Sequence, residues 1–437
     1  MCAQRCYSHL RCHSRRMASG NVDSHHTNAD VSYVTLDISD LSKELAASTL
    51  KDLEELTGKS SSSYSSSSCI HRVPEKFHKI NQYAYVPELI AIGPNHHGKE
   101  SLQTMEEHKK RYVKALLNRI STTQESNFKK LGEFFNILCF LEEEIHKSYS
   151  EISKMSRNDF LKMMLFDGFF MIELFLRSAE VKKDENDPIF NTNWLYASLV
   201  RDMILLENQL PLFVLDKLFV KTKSKFSGHE NQSLTRLALR FFKPLIPNDQ
   251  HLLLKASKFT SSKHLLDLVY KVLLVDVKYL QPKSNPGGNL LLSVTRLRRA
   301  GIKFKKGHEE TSFLDIKFSH GVLEIPPVHI EDHFEVLLRN LIAWEQCSNS
   351  RPLHVVTSYA FLMNKLISTT EEVGFLCHRG IITNYLGGDE EVSLLFNNLC
   401  KEVTLVNFCY SEVCNQVKSY CKNRLRVWLP TFIGNYF

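Results

Sequence analysis

Phe334, Leu337, Leu338, Leu341 and Trp344 fall at i, i+3, i+4, i+7 and i+10. That spacing lines one face of a 3.6-residue helix and leaves the chain little choice there. Few residues interrupt apolar-faced stretches of this kind: among 437 residues there are 17 glycines and 13 prolines. A turn-dense β architecture is excluded by that scarcity, and a mainly α-helical body is predicted. The hydrophobic share of 43% and charged share of 24% are those of an ordinary globular protein long enough for a sizeable core. No internal repeat is apparent.

Residues 1 to about 30 carry no period, a short helix is predicted over Ser39–Leu56, and "SSSSYSSSS" at Ser60–Ser68 reads as a flexible linker. Residues 1–68 are therefore expected to form a disordered arm with one short helix, and the folded body to begin at Cys69. Its helical first half, 69–220, has helices predicted over Leu102–Arg119, Phe128–Tyr149 and Asp159–Arg177, then an apolar helical pair around Leu195–Val220. Within "LENQLP", Pro211 lacks a backbone donor, so the helix must bend or restart there. Asn208 and Gln209 sit where freed carbonyls need partners, so a capped, partly buried kink explains Glu207 more simply than catalysis does.

After a helix near His264–Leu274, flanked by polar loops, the period changes to two. "GIKFKKG", "FLDIKF" and "VLEI" alternate, and Ser319-His320-Gly321 suits a turn with a left-handed glycine. A small antiparallel β meander is predicted over 301–325, opening a second half (290–437) that returns to helix. There the helix of the Phe334–Trp344 stripe is followed by helices over Val355–Ile367, from Gly387-Gly388-Asp389 to Val403, and over Val406–Trp428.

A net charge of +7 is too mild for a dedicated nucleic-acid binder. Arg296, Arg298, Arg299, Lys303, Lys305 and Lys306 nevertheless cluster without an intervening acid. They read as a solvated face or as a contact for an anionic membrane or nucleic acid. Eleven cysteines show no paired framework; Cys139, Cys347, Cys377 and Cys400 sit among apolar neighbours, as buried free thiols in a reducing compartment do. The tract Cys2, Cys6, Cys12 and His13 matches no zinc spacing. The N-terminus holds Arg5, Arg11, Arg15 and Arg16 before any acid, without the apolar core of a secretory signal, and residues before Met17 read equally as an upstream-start extension. No apolar run reaches a membrane-spanning length, since "MILLENQLPLFVLDKLF" is broken at Glu207 to Gln209 and at Pro211.

Several segments stand in a familiar order: "HRVPEKFHKINQYAYVPELIAIGPNHHG", "MEEHKKRY", "DGFFMIELFL", "LLENQLPLFVL", "AGIKFKKG", "GVLEIPP", "RNLIAWEQC" and "GIITNYLGGDEEVSLLFN". From about Cys69 to Phe437 the chain closely resembles the plant family called domain of unknown function 247, also UPF0481. The resemblance implies a land-plant protein with no established enzymatic activity. It also implies relatives that carry a C-terminal membrane-anchoring helix beyond a point like Tyr436-Phe437, and some that are similar to pollen-side determinants of self-incompatibility. His71 departs from the family, which usually places a large aromatic before Arg-Val-Pro.

His96 and His97 lie inside a Gly-Pro-Asn and Gly bracket, with Glu106 and Glu107 soon after. Adjacent residues on regular structure cannot face one metal, so a turn in which Asn95 adopts a left-handed conformation competes with a ligand or partner contact at His96, His97 and Glu106. The acids Asp389 to Glu391 read as favouring a helix N-terminus, and His329, Glu331, Asp332 and His333 as a tract around a helix start. No P-loop, G-x-S-x-G, H-E-x-x-H or kinase signature is present, so no catalytic residue, cofactor or metal ligand is assigned. The expected function is non-enzymatic signalling or recognition, through unknown protein partners at or near a membrane, with a cytoplasmic body. The alternatives are a metal-assisted hydrolase centred on the His-His turn and a nucleic-acid-binding protein.

Overall fold

A computed structural model describes residues 43, 44, 46–51 and 68–434, apart from 122, 153, 181–185, 224–231, 248–254, 276, 278–292 and 349–352. The chain is mainly α-helical with small β elements. Its helices are α1 Gln103–Ile120, α2 Gln124–Ser148, α3 Arg157–Ala179, α4 Asn193–Asp202, α5 Leu212–Lys223, α6 Leu234–Phe241 and α7 Leu265–Leu274. They continue with α8 Val294–Arg299, α9 Asp332–Cys347, α10 Val355–Leu366, α11 Thr370–His378, α12 Asp389–Leu399 and α13 Ser411–Gly434. Single helical turns at Glu75–His78 and Pro188–Asn191 join them. In the N-terminal segment, the residues described within Ser39–Leu56 are helical and exposed. The expected arm over 1–30, the serine tract up to Ser67 and most of the polar loops around α7 lie outside the described residues.

Side-chain chemistry explains where helices begin. Ser156 accepts the Asp159 N–H at the start of α3, Ser233 that of Arg236 at α6, and the His264 ring that of Asp267 at α7. The helix α3 is buried from Phe160 to Leu176 on nearly every side, so its Asp167 and Glu173 require partners. They have them: Lys109 Nζ lies 2.6 Å from Asp167, and Arg119 and Arg177 lie 2.9 and 2.8 Å from Glu173. In the second half α9 is buried in the same manner, and its Glu345 accepts N–H bonds from Val356 and Thr357 at the start of α10.

The small sheet is present, but its pairing corrects the expected antiparallel meander. Strand β1 (Lys303–Lys306) runs parallel to β3 (Val322–Ile325), and β2 (Lys317–Ser319) runs antiparallel on the other side of β3. Leu314 and Ile316, expected in a strand, are buried in the connection, which carries the chain across β3. Phe304, Leu323 and Phe318 share a register row, with Phe375 and Tyr420 packed on its two ends. The β2–β3 turn has two residues, His320 and Gly321, both at positive φ, the form that matches strand twist best. A second pair, β4 (Val328–Ile330) parallel to β5 (Ile382–Asn384), follows from no local pattern. The burial expected of four cysteines is corrected. Cys139 is exposed, and Cys347, Cys377 and Cys400 are half-buried; burial holds for Cys69, Cys409 and Cys414.

Between α4 and α5 the chain makes a buried loop, 203–211, and restarts as a helix at Leu212 as Pro211 requires. Asn208 accepts the Ile92 N–H at 2.7 Å and donates to the carbonyls of Ile90 and Asp202, each at 3.0 Å. Replacing Asn208 with leucine leaves the Ile92 N–H and the Ile90 carbonyl unpaired in the interior, and the Asp202 carbonyl with only its long bond from the Leu205 N–H. We expect Asn208→Leu to lose about 3–5 kcal/mol, read by urea unfolding at pH 7.

Candidate binding site

Residues 71–99 form little regular structure, so their backbone groups need partners from elsewhere. Asp202 accepts N–H bonds from Glu88, Leu89 and Ile90, and Asp167 accepts that of Gly93 at 2.8 Å. Glu207 accepts the Val73 N–H at 2.7 Å and the Arg72 guanidinium at 3.1 Å. Gly93 is at φ +74°, and a β-carbon there would stand 2.6 Å from the Gln209 carbonyl, so only glycine fits. Gly93 and Gly98 take the left-handed conformations of the turn; Asn95, assigned one from sequence, does not, because an L side chain strains there and a glycine does not. Asn95 is instead buried, its amide donating to the Glu207 carbonyl at 3.3 Å.

This framework opens a cleft of about 590 Å³ lined by Arg72, His78, Lys79, His96, Lys99 and Glu207, with Glu75 and Glu151 also on its wall. His96 is 3% exposed. Its Nδ1 lies 2.8 Å from Lys99 Nζ, and an ammonium can only donate, so Nδ1 is the acceptor and Nε2 carries the proton. That Nε2–H lacks a hydrogen-bond partner and faces Glu207 Oε2 at 3.6 Å; His78 Nε2 is 3.5 Å from Oε1. Burial first, then the charges of Lys99 and Arg72, push the His96 pKa down to about 3. The site presents a guanidinium and two ammonium groups as donors around the floor carboxylate Glu207, with the carboxylates of Glu75 and Glu151 on the wall.

The expected trio of His96, His97 and Glu106 is not brought together. His97 is exposed, because neighbours on the turn point apart. Glu106 turns to Lys109 at 2.7 Å, whose amine also bonds the Ala91 carbonyl at 2.8 Å. Among the described residues no group of three or more His, Cys, Asp and Glu is placed to hold a metal ion. The basic cluster spans two elements: Arg298 lies over the Phe375 ring at 4.0 Å, Lys305 pairs with Glu324 and Lys306 with Glu309. Arg296, Arg299 and Lys303 are exposed. Asp389, Glu390 and Glu391 occupy the first turn of α12, and Asp332 that of α9. His329 and Glu331 border a separate, more apolar cleft of about 370 Å³ with Phe313, Phe334 and Leu337. Sequence reading passed over Arg72, His78, Lys99 and Glu207 as site residues. The available signal was a charged residue, Glu207, inside an apolar run.

Comparison with known sequences gives the family. The profile described as plant protein of unknown function, domain of unknown function 247, matches residues 70–437. The chain belongs to this family. A UPF0481 protein of Arabidopsis thaliana is 34% identical over 383 residues, covering 82% of this chain and 78% of the relative. A putative UPF0481 protein of the same plant is 24% identical, covering 88% of this chain and 86% of the relative. No solved structure matches. Among the described residues no helix is long and apolar enough to cross a membrane.

His96 makes stability depend on pH in a definite direction. Its folded pKa of about 3 lies below the ordinary 6.5, so the unfolded chain binds the proton more readily. Its contribution is complete above about pH 6.5 and is lost as pH falls toward 3. At pH 5 the loss is about 2 kcal/mol. Urea unfolding at pH 7 and pH 5 should therefore show a smaller difference for His96→Asn than for the unaltered chain, by about that amount.

Proposed function

We propose that this plant protein is a non-enzymatic recognition protein whose contact surface is the cleft around Arg72, His78, His96 and Lys99. The observation that carries the reading is the fixed protonation of His96. Its acceptor nitrogen is engaged by Lys99, and its proton sits on the buried nitrogen facing Glu207, so the ring takes no proton from a ligand and serves to position Lys99 and Glu207 at the cleft. Glu207, the carboxylate at the floor, is already engaged by Val73 and Arg72. Groups held in this manner recognise an acceptor such as a carboxylate or a backbone carbonyl, with no nucleophile and base set against each other.

A position near a membrane, in a signalling or self-incompatibility setting, belongs to the same reading. Arg296, Arg299 and Lys303, exposed on α8 and β1, suit an anionic surface. They also support nucleic-acid contact, which differs in its steep salt dependence with polynucleotide.

The test is a photo-crosslinking residue at Tyr83, which is 82% exposed and next to the cleft residue Gln82, in the full chain incubated with plant extract. A discrete protein adduct that disappears with Lys99→Glu is the expected result. Stoichiometric zinc or manganese in the purified protein, lost together with a hydrolytic activity on His97→Ala, would instead establish the metal-assisted hydrolase.

A further inference from the structure

The outer face of α2 carries exposed residues that no packing among the described residues explains. Phe140 is 88% exposed and Phe128 83%, and Cys139 lies open beside Phe140. Gly132 stands in the helix interior, where glycine is among the least favourable residues, and a β-carbon there would meet nothing within 4 Å. No packing among the described residues requires that glycine. A body pressed against the outside of α2 would.

We propose that this face pairs antiparallel with the same face of a second copy, about a twofold axis passing near Asn136. The register follows from the residues. Lys129, Gly132, Asn136, Phe140 and Glu143 lie along one exposed line of the helix. Turning the helix end for end about Asn136 sets each Phe140 ring over the second copy's Gly132, where the absent side chain leaves room. The same rotation sets Lys129 against Glu143 and Glu125 against Lys147, each opposition occurring twice. A parallel pair would instead set Lys129, Glu143, Glu125 and Lys147 each against its own kind, so along this line an antiparallel pair attracts and a parallel pair repels.

Within one copy Glu143 pairs with Lys147 and Glu142 with Arg157; such exposed pairs exchange readily. The apolar surface continues to either side of the line, through Phe128 and half-buried Phe135 on one flank and exposed Val220 of α5 on the other. A contact built on one helix face is smaller than the roughly 800 Å² per partner of a standard interface, so the dimer dissociates in the micromolar range.

The experiment is sedimentation equilibrium of the full chain from about 1 to 200 μM. We expect a monomer–dimer equilibrium that Phe140→Glu abolishes. Gly132→Leu should abolish it too, while leaving the dilute monomer at least as resistant to urea. Lys129→Glu should weaken it about tenfold, and the double change Lys129→Glu with Glu143→Lys should restore it. In a Cys139→Ser background, Asn136→Cys should form a symmetric disulfide dimer on mild oxidation. The proposal is overturned by a monomer throughout the range, by a dimer indifferent to Gly132→Leu and Phe140→Glu, or by failure of the charge swap to restore pairing. It is equally overturned if the chain stays monomeric and Phe128 and Phe140 instead drive binding to lipid vesicles.

Discussion

Asp202, Glu207, Asn208 and Gln209 hold together two stretches of chain that have no regular structure of their own. Asp202 gathers three consecutive N–H groups, Asn208 bridges Ile90 and Ile92, and Glu207 takes the Val73 N–H. Gln209 donates to the Met203 and Leu205 carbonyls and accepts the Leu266 N–H in α7. From the other half, Asn340 of α9 accepts the Leu206 N–H and donates to the Ala84 carbonyl. Each of these backbone groups, left unpaired in the interior, would cost about 1–3 kcal/mol. Apolar residues of the same loop, Ile204, Leu205, Leu206 and Leu210, are fully buried because the polar groups between them are satisfied.

The cleft inherits its chemistry from this arrangement. Glu207 serves the framework and the floor of the cleft at once, so its orientation is set by Val73 before any ligand arrives. Gly93 brings the turn against the Gln209 carbonyl, closely enough that His96 is buried beside Glu207 and remains neutral. A framework carboxylate and a desolvated imidazole that positions Lys99 make a preorganised recognition surface, with little freedom for proton transfer.

The helices were legible because burial writes itself into a 3.6-residue period: α1, α2, α3, α9 and α10 fall within a few residues of their predicted spans. The helices α6 and α11 passed unnoticed, being short, eight and nine residues, although Leu234, Leu237, Ala238 and Phe241 of α6 keep the i, i+3, i+4, i+7 spacing. Strand partners were not legible either. Alternation marks Phe304, Phe318 and Leu323 as strand residues, yet nothing local says that β1 bypasses β2 to lie beside β3. The site was half visible. His96 drew notice through its glycine bracket and "LENQLP" through its charge, but the union of the two depends on the loop folding back on residues far away in sequence. Glu106 misled because nearness in sequence on a helix said nothing about the buried Lys109 that holds it.

The central claim is that the loop's polar side chains hold residues 88–93 in place directly, not merely by supporting overall stability. Amide hydrogen exchange on the full chain, comparing the unaltered protein with Asp202→Asn, measures this most directly. One oxygen of Asp202, Oδ2, accepts the N–H groups of Glu88, Leu89 and Ile90, while Oδ1 pairs with Arg201. A neutral amide weakens all of these bonds by losing the charge, and its NH2 group, placed at either position, opposes donors there. The account predicts that protection at these amides falls by at least about tenfold while the amides of α3 and α9 change far less. Equal loss of protection across α3, α9 and residues 88–90, or no loss at residues 88–90, would contradict it.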